Sequence, residues 1–295
     1  MASIIDLVGN TPMVEVKKLN PNPGVTIYAK LEGNNPGGSV KDRPALNMIR
    51  SAIERGDIKP GIKLIEATSG NTGIALAMIA RLYDLEIELV MPSTSTRERT
   101  LTMEAFGAKV TLLDNIEVCR DYAEEKAAKD EAYILNQFAN PDNYKAHYKT
   151  TGPEIWKDTD QSITHFVSSM GTTGTIMGCS RYLKEKNPAI QIVGCQPTEE
   201  SSIPGIRRWP KEYLPKIFEP DRVDRVIDVS QQEATMMARQ LAKVEGIFAG
   251  MSSGGAASAA IRLAKELDKG VIVFIACDRG DRYLSSDLFA PSNSP

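Results

Sequence analysis

Short apolar segments of strand length alternate with longer segments of helical periodicity along most of the chain. In the first half, Ile62–Ala67, Ile87–Met91 and Lys109–Leu113 have the length and composition of buried strands. The segments between them, Gly73–Leu82 and Arg97–Phe106, have apolar residues at helical spacing. A succession of this kind predicts a mostly parallel sheet with helices on both faces.

A second series of the same kind follows a helix-like region, Asn143–Trp156. Its predicted strands are His165–Ser169, Gln191–Gln196, Arg225–Val229, Ile247–Gly250 and Val271–Ala276. Its predicted helices are Gly174–Lys186, Gln232–Glu245 and Ser253–Leu267. The proline-rich segment Ser201–Pro220 predicts a long, stiffened loop. Two such arrays in 295 residues predict an α/β protein of two doubly wound domains, with the ligand site in the crevice between them.

Charge and composition exclude several classes of function. The chain has 35 Lys and Arg against 38 Asp and Glu, a net charge of −3 without long runs of one sign, which disfavours a nucleic-acid or membrane-surface partner. It lacks an apolar run of membrane-spanning length, and its first residues do not resemble a secretory signal, so we expect a cytoplasmic protein. Four dispersed cysteines and only two histidines, His147 and His165, argue against a metal site or a histidine-based triad. We expect reduced cysteines and structural histidines.

Three turns rich in glycine and hydroxyl residues occur where strands are predicted to meet helices. They are Thr68–Gly73, Gly171–Thr175 and Gly250–Gly255. Any one of them could be an ordinary helix cap, but three at the ligand-binding edge of the sheets favour anion sites at helix N-termini. None matches the dinucleotide or nucleoside-triphosphate motifs, so we expect smaller anions.

The segment Asn34–Ala45 carries a lysine in an unusual place. Its glycines predict a tight loop, Ser39 could cap the helix that follows, and Lys41 would fall in the first turn of that helix. Lys41 could be a surface residue beside Asp42 and Arg43. Alternatively, the positive end of the helix helps to keep the amine neutral, as a Schiff-base lysine requires.

Four blocks together resemble the cysteine synthase (O-acetylserine sulfhydrylase) family of pyridoxal-phosphate enzymes. The blocks are NNPGGSVKDRPA, EATSGNTG, SSMGTTGT and GMSSGGAA, in this order, and the similarity spans essentially the whole chain. Within the family, SIPGIRRWP and Cys277–Leu284 most resemble the B isozyme. The resemblance implies fold type II, like the tryptophan synthase β chain. It also implies a smaller, mobile domain of residues 1–12 and 35–145 and a larger domain of residues 13–34 and 146–295.

The resemblance also implies a role for each site residue. Lys41 would hold pyridoxal 5'-phosphate as a Schiff base and then take the substrate α-proton as general base. The cofactor phosphate would be bound by Gly171, Thr172, Thr173, Gly174 and Thr175. The substrate carboxylate would be bound by Thr68, Ser69, Gly70, Asn71 and Thr72. Asn71 would also hydrogen-bond the cofactor's ring hydroxyl oxygen, and Ser252 would face the pyridine nitrogen, with Ser253 as the competing candidate.

The implied reaction is replacement of the acetoxy group of O-acetyl-L-serine, through an aminoacrylate, by sulfide to give cysteine or by thiosulfate to give S-sulfocysteine. Arg207 and Arg208 could attract an anionic sulfur donor, or they could be a solvated pair on a loop. A homodimer is expected from the family.

The alternatives are cystathionine β-synthesis, serine or threonine dehydration, and a non-catalytic homologue that binds a partner peptide in the cleft. The chain ends soon after its catalytic part, which we expect to leave no room for the regulatory domain of the first alternative. The TSGNTG and GGSVKDR blocks look more like the synthase than like a dehydratase.

Overall fold

The structure is a computed structural model that describes residues 3–68 and 70–290. In chain order the strands are β1 (Met13–Glu15), β2 (Val25–Leu31), β3 (Leu64–Ala67), β4 (Ile87–Pro92), β5 (Lys109–Leu113), β6 (Tyr133–Ile134), β7 (His165–Ser169), β8 (Gln191–Pro197), β9 (Arg225–Val229) and β10 (Gly270–Ala276). The helices are α1 (Asp42–Arg55), α2 (Asn71–Leu82), α3 (Arg97–Ala105), α4 (Ile116–Ala128), α5 (Pro141–Lys149), α6 (Thr151–Asp158), α7 (Gly174–Lys186), α8 (Gln231–Gln240) and α9 (Met251–Ala264).

The strands form two sheets. The larger sheet has the order β1-β2-β10-β7-β8-β9, and the smaller has the order β5-β4-β3-β6. Every pairing is parallel except that of β1 with β2. The predicted α/β fold class with mostly parallel sheets is therefore confirmed.

Helices cover both faces of each sheet, as the continuous apolar strands require. Along β10, Ile272 and Phe274 pack into one hydrophobic cluster, while Val273 and Ile275 pack into another on the opposite face. Along β3, Leu64 belongs to one cluster, and its neighbours Ile65 and Ala67 belong to a second. No helix in the described part of the chain is long and apolar enough to cross a membrane.

The strand predicted at Ile247–Gly250 is wrong. Only Ala249 makes an isolated bridge there, to Arg279. Gly246 adopts a left-handed conformation that ends the helical segment following α8, and α9 begins at Met251. Ile247 and Ala249 bury their apolar side chains in a core cluster, so packing and not strand pairing accounts for the apolar pattern of this segment. The turn at Gly250 therefore precedes a helix but does not follow a strand.

Two helix boundaries also differ from expectation. The helix-like region Asn143–Trp156 is two helices, α5 and α6, separated at Thr150. Lys41 was expected in the first turn of α1, but it occupies the N-cap position. The Ser39 hydroxyl accepts a hydrogen bond from the Lys41 backbone N–H at 3.2 Å, so it braces the turn before the helix.

Candidate active site

Lys41 lies where the glycine-rich loop before α1 meets the end of β10. The Val40 N–H donates to the Cys277 carbonyl at 2.8 Å, and Ser39 forms an isolated bridge with Asp278. The residue is partly buried, and the loss of hydration lowers the pKa of the Lys41 amine. The nearby Cys277 thiol and the carboxyls of Asp278 and Glu32 oppose that shift of the Lys41 pKa without cancelling it. At a given pH, a larger fraction of the Lys41 amine is therefore neutral and nucleophilic than in a surface lysine.

The loop Gly171–Thr175 joins β7 to α7 and forms a polar cradle at the helix N-terminus. Thr173 has φ of +70°, and its hydroxyl is buried without a hydrogen-bond partner among the described residues. A Cβ atom at Gly174 would lie 1.9 Å from the Asn143 side-chain oxygen, so this close approach requires glycine. Backbone N–H groups at a helix start and an unpaired hydroxyl are suited to an anion such as phosphate.

Two side chains of α5 support this loop from behind. Asn143 donates to the Thr172 hydroxyl at 3.1 Å. The His147 ring contacts the hydroxyls of Thr175 at 3.3 Å and Thr151 at 2.9 Å. Burial lowers the pKa of His147 well below its ordinary value, so the ring is neutral. The structure agrees with the expected structural role for His147. Asn143 was not predicted, although it lies one helical turn before His147 on the same face of α5.

The second loop, Thr68–Thr72, joins β3 to α2. Thr68 accepts a weak hydrogen bond from the Gly70 N–H at 3.4 Å, and the predicted Ser69 lies outside the described residues. The Thr72 hydroxyl donates to the Gln137 side-chain oxygen at 2.8 Å. Sequence reasoning missed Gln137, because nothing in its local sequence marks a residue that meets Thr72 only in the folded chain.

Gln137 is itself held in place by a buried carboxylate on β3. Glu66 accepts hydrogen bonds from the backbone N–H groups of Asn136 at 3.0 Å and Gln137 at 3.2 Å. Burial raises the pKa of Glu66 to about 7, and these hydrogen bonds oppose the rise. Glu66 therefore fixes the backbone that presents Gln137 to the loop.

Asn71 contacts the segment that follows β10. Its side-chain N–H donates to Asp278 at 2.7 Å, and its side-chain oxygen accepts from Arg282 at 2.5 Å. Arg282 also donates to the carbonyl of Gly37, in the glycine-rich loop before Lys41. The structure thus brings the predicted loops around Lys41 and Asn71 together through Asp278 and Arg282, which lie in the Cys277–Leu284 block but were not predicted as site residues.

Ser252 and Ser253 differ in what their hydroxyls contact. The Ser253 hydroxyl accepts from the Cys277 backbone N–H at 2.8 Å, which ties it to the end of β10. The Ser252 hydroxyl is buried near the Cys277 thiol and would lie 3.7 Å from a Cβ atom built on Gly205. Of the two hydroxyls, that of Ser253 is hydrogen-bonded to the backbone, and that of Ser252 is not, among the described residues.

The loop that carries Arg207 and Arg208 packs against the Gly171–Thr175 loop. Trp209 donates from its ring nitrogen to the Gly171 carbonyl at 2.7 Å. Arg208 is taken up by an ion pair with Asp228. The Arg207 guanidinium contacts only its neighbour's carbonyl, at 3.4 Å, among the side-chain hydrogen bonds of the described residues. The two arginines are therefore not equivalent.

Comparison with known proteins identifies the family. A family model described as "Pyridoxal-phosphate dependent enzyme" matches residues 4–278. The chain belongs to this family. It is 59% identical over 292 residues to cysteine synthase B of Pseudomonas aeruginosa, covering 98% of each chain. It is 55% identical over 292 residues to cysteine synthase B of Escherichia coli, covering 98% of this chain and 96% of that one.

Solved structures agree with this assignment to the pyridoxal-phosphate enzymes. The crystal structure of cysteine synthase from Entamoeba histolytica superposes with a TM-score of 0.94 at 36% identity, covering 100% of this chain and 92% of that one. That of an O-ureido-L-serine synthase has a TM-score of 0.93 at 33% identity, covering 100% and 97%. The fold-type-II architecture and the pyridoxal-phosphate cofactor expected from the sequence are thereby confirmed.

The residues of this pyridoxal-phosphate enzyme fit the cofactor. Lys41 supplies an amine with a lowered pKa, and the Thr173 hydroxyl is a buried donor without a partner in the part of the chain that the structure describes. Within those residues there is no cluster of three or more His, Cys, Asp or Glu that could hold a metal ion. The four cysteines are free thiols.

Proposed function

We propose that this protein is a cysteine synthase, which replaces the acetoxy group of O-acetyl-L-serine by a sulfur nucleophile to give cysteine from sulfide or S-sulfocysteine from thiosulfate. The observation that carries the proposal is the partly buried Lys41 amine with its lowered pKa, beside Cys277 and Asp278 and linked through Asp278 to Asn71. The high identity to cysteine synthases B supports the substrate assignment. When bound, the cofactor withdraws electrons from the substrate α-carbon.

The residues of the chain then have the following tasks. The Lys41 amine binds the cofactor and later takes the proton from the α-carbon. Thr68, Ser69, Gly70, Asn71 and Thr72 bind the substrate carboxylate, and Gln137 fixes Thr72 from behind. The cofactor phosphate is bound by Gly171, Thr172, Thr173, Gly174 and Thr175.

Ser252, rather than Ser253, would face the pyridine nitrogen, because the Ser253 hydroxyl is held at the end of β10 by the Cys277 backbone N–H. A neutral hydroxyl in this position keeps electron withdrawal moderate, which suits loss of an acetate group together with the α-proton. The contacts of the two hydroxyls support this assignment.

Domain closure, assembly and location complete the proposal. Residues 1–12 and 35–145 move as a smaller domain over residues 13–34 and 146–295, and binding of the carboxylate by the Thr68–Thr72 loop favours closure. The protein acts in the cytoplasm as a homodimer on small molecules, without a nucleic-acid or membrane partner.

The experiment that tests the function compares three substrate sets on the purified holoenzyme. O-acetyl-L-serine with sulfide is expected to give cysteine faster than serine with homocysteine gives cystathionine or threonine gives a keto acid. Faster turnover of either alternative set would reassign the reaction. An absence of turnover together with tight peptide binding in the cleft would support the non-catalytic homologue.

Arg207 offers a test of the sulfur donor. Because Arg208 is paired with Asp228 while Arg207 is not committed to a carboxylate, the effect on an anionic donor is expected to reside in Arg207. Arg207→Ala should raise the KM for thiosulfate several-fold and change the KM for sulfide less. Arg208→Ala is the matched control. An unchanged thiosulfate KM in the Arg207→Ala, Arg208→Ala double variant would remove this loop from donor binding.

A further inference from the structure

The side-chain amide of Asn71 is held on both sides by charged groups. Its nitrogen donates to Asp278 Oδ2 at 2.7 Å, and its oxygen accepts from Arg282 Nη1 at 2.5 Å. Hydrogen bonds with one charged partner are roughly twice as strong as neutral ones. Rotating the amide by half a turn would place its NH2 group against the guanidinium and its oxygen against the carboxylate. The two charges therefore allow a single orientation of Asn71.

Both charged groups are themselves anchored. Asp278 is 1% exposed and accepts a second hydrogen bond at Oδ2 from the Tyr283 hydroxyl at 2.6 Å. Arg282 donates its other terminal nitrogen to the Gly37 carbonyl. Arg282 has no ion-pair partner within 4 Å in residues 3–68 and 70–290; its hydrogen bonds go to Asn71 and Gly37, and its charge also acts on the nearby Asp42 carboxyl. We call Asp278, Asn71 and Arg282 the amide clamp.

The clamp leaves one donor of Asn71 available. A primary amide has two N–H groups, and Asp278 accepts from Asn71 at a single oxygen. Under the proposed function, Asn71 hydrogen-bonds the ring hydroxyl oxygen of the cofactor, and the second N–H can serve that bond. A freely rotating amide would present its oxygen about as often as its nitrogen, and the oxygen cannot donate.

We propose that Asp278 and Arg282 are positioning residues, which fix the Asn71 amide so that it presents an N–H to the ring hydroxyl oxygen of pyridoxal phosphate. The inference rests on the proposed function, because it takes the contact between Asn71 and the cofactor from there. It assigns a role in the site to the segment after β10, which lies more than 200 residues from Asn71 in the chain. The same contacts hold α2 and the Gly37 loop against that segment.

The test uses Arg282→Met, which removes the donor to the Asn71 oxygen and keeps a long apolar stem. We expect the dissociation constant for pyridoxal phosphate to rise about tenfold, as loss of an oriented hydrogen bond requires. We also expect a changed ratio of the visible absorbance bands of the bound cofactor at fixed pH. Arg282→Lys, which restores one donor, should recover part of both effects. Arg279→Met is the matched control, since Arg279 is exposed and pairs with Asp281.

A second variant tests the other side of the clamp. Tyr283→Phe removes the hydroxyl that anchors Asp278 and should shift the absorbance ratio in the same direction by a smaller amount. Thermal unfolding of each apoprotein shows whether the substitution also changes the stability of the fold.

A wild-type spectrum and dissociation constant in Arg282→Met, whether or not its unfolding temperature falls, would overturn the inference. If the wild-type protein itself fails to bind the cofactor through Lys41, the proposed function fails instead.

Discussion

The Lys41 amine combines two properties that seldom occur together at an exposed lysine. It begins a helix, where the partial positive charge disfavours a cation, and it is partly withdrawn from water. Loss of hydration lowers the pKa of the amine. The residues Cys277 and Asp278 lie near enough to limit the shift, so the amine can still hold a proton after it takes one from substrate.

Glu66 gives a prediction at the residue scale for pH and stability. Burial raises its pKa in the folded protein to about 7, above the ordinary 4.5, so the folded state binds the proton more tightly than the unfolded state. The contribution of Glu66 to the free energy of unfolding therefore falls as the pH rises from about 4.5 to 7. The free energy of unfolding of the wild type minus that of Glu66→Gln should be larger at pH 5 than at pH 8 by about 1 to 3 kcal/mol.

Urea unfolding of the apoprotein at several pH values measures this difference. Glu86→Gln, whose side chain is 82% exposed, corrects for the removal of one negative charge. A difference between wild type and Glu66→Gln that does not depend on pH, or that grows with rising pH, would contradict the prediction.

Sequence alone predicts site residues where local pattern carries the information. The glycine-rich loops mark Lys41 and Thr173 because backbone geometry at a helix start requires particular neighbours. Gln137 has no such local signature, and the Cys277–Leu284 block does not by itself show that Asp278 and Arg282 reach the site. All three meet their partners across 65 to 211 residues of chain, so only the tertiary structure brings them into the site.

At the scale of elements, the apolar pattern predicts the strands and helices whose residues are mostly buried. The strand β7, whose three central residues are buried, and the helix α7 have the predicted bounds. The predicted strand at Ile247–Gly250 is wrong because its apolar residues, Ile247 and Ala249, are buried by packing in a core cluster and not by pairing in a sheet. The helix α4 was not predicted; charged residues interrupt its apolar pattern, and only Cys119 and Ala123 are buried on its inner face.

Replacing Thr173, at the start of α7, should affect the stability of the apoprotein and the binding of the cofactor in opposite directions. The Thr173 hydroxyl is buried and unpartnered among the described residues, so Thr173→Val removes an unsatisfied group. The free energy of unfolding of the apoprotein should stay equal or rise by up to about 1 kcal/mol, while the dissociation constant for pyridoxal phosphate should rise about tenfold. Denaturant unfolding and a cofactor titration measure the two quantities.

Thr172→Val is the matched control, because the Thr172 hydroxyl accepts a bond from Asn143 and its loss should destabilise the apoprotein. Equal destabilisation by the two variants, with unchanged cofactor binding for Thr173→Val, would show that the Thr173 hydroxyl serves packing and not phosphate.

At the scale of the whole molecule, a buried ionic network joins α1 to the larger sheet and to α6. Arg43 pairs with Glu32 at 2.7 Å and with Glu154 at 2.7 Å, and Lys30 pairs with Glu154 at 2.9 Å. Burial opposes ionisation of Glu154, but Arg43 outweighs it and lowers the pKa of that carboxyl to about 2. Because Arg43 follows Lys41 by two residues, the network also fixes the start of the helix that carries the amine.

Removing one member of this network should be costly. Arg43→Met leaves the fully buried Glu32 without its cation and is expected to lower the free energy of unfolding by about 3 to 5 kcal/mol. Arg43→Met combined with Glu32→Gln should recover part of that loss. Arg50→Met, an exposed position on the same helix, is the control for urea unfolding. A loss of less than about 1 kcal/mol in Arg43→Met would mean that the network contributes little.

The covalent attachment of the cofactor at Lys41 is the claim on which the function depends. Borohydride reduction of the holoenzyme, digestion and mass spectrometry locate the modified residue directly. We predict a pyridoxyl-phosphate adduct on the peptide that contains Lys41, and loss of the visible absorbance of the bound cofactor in Lys41→Ala. An adduct on another lysine, or a Lys41→Ala protein that keeps the wild-type absorbance, would contradict the account.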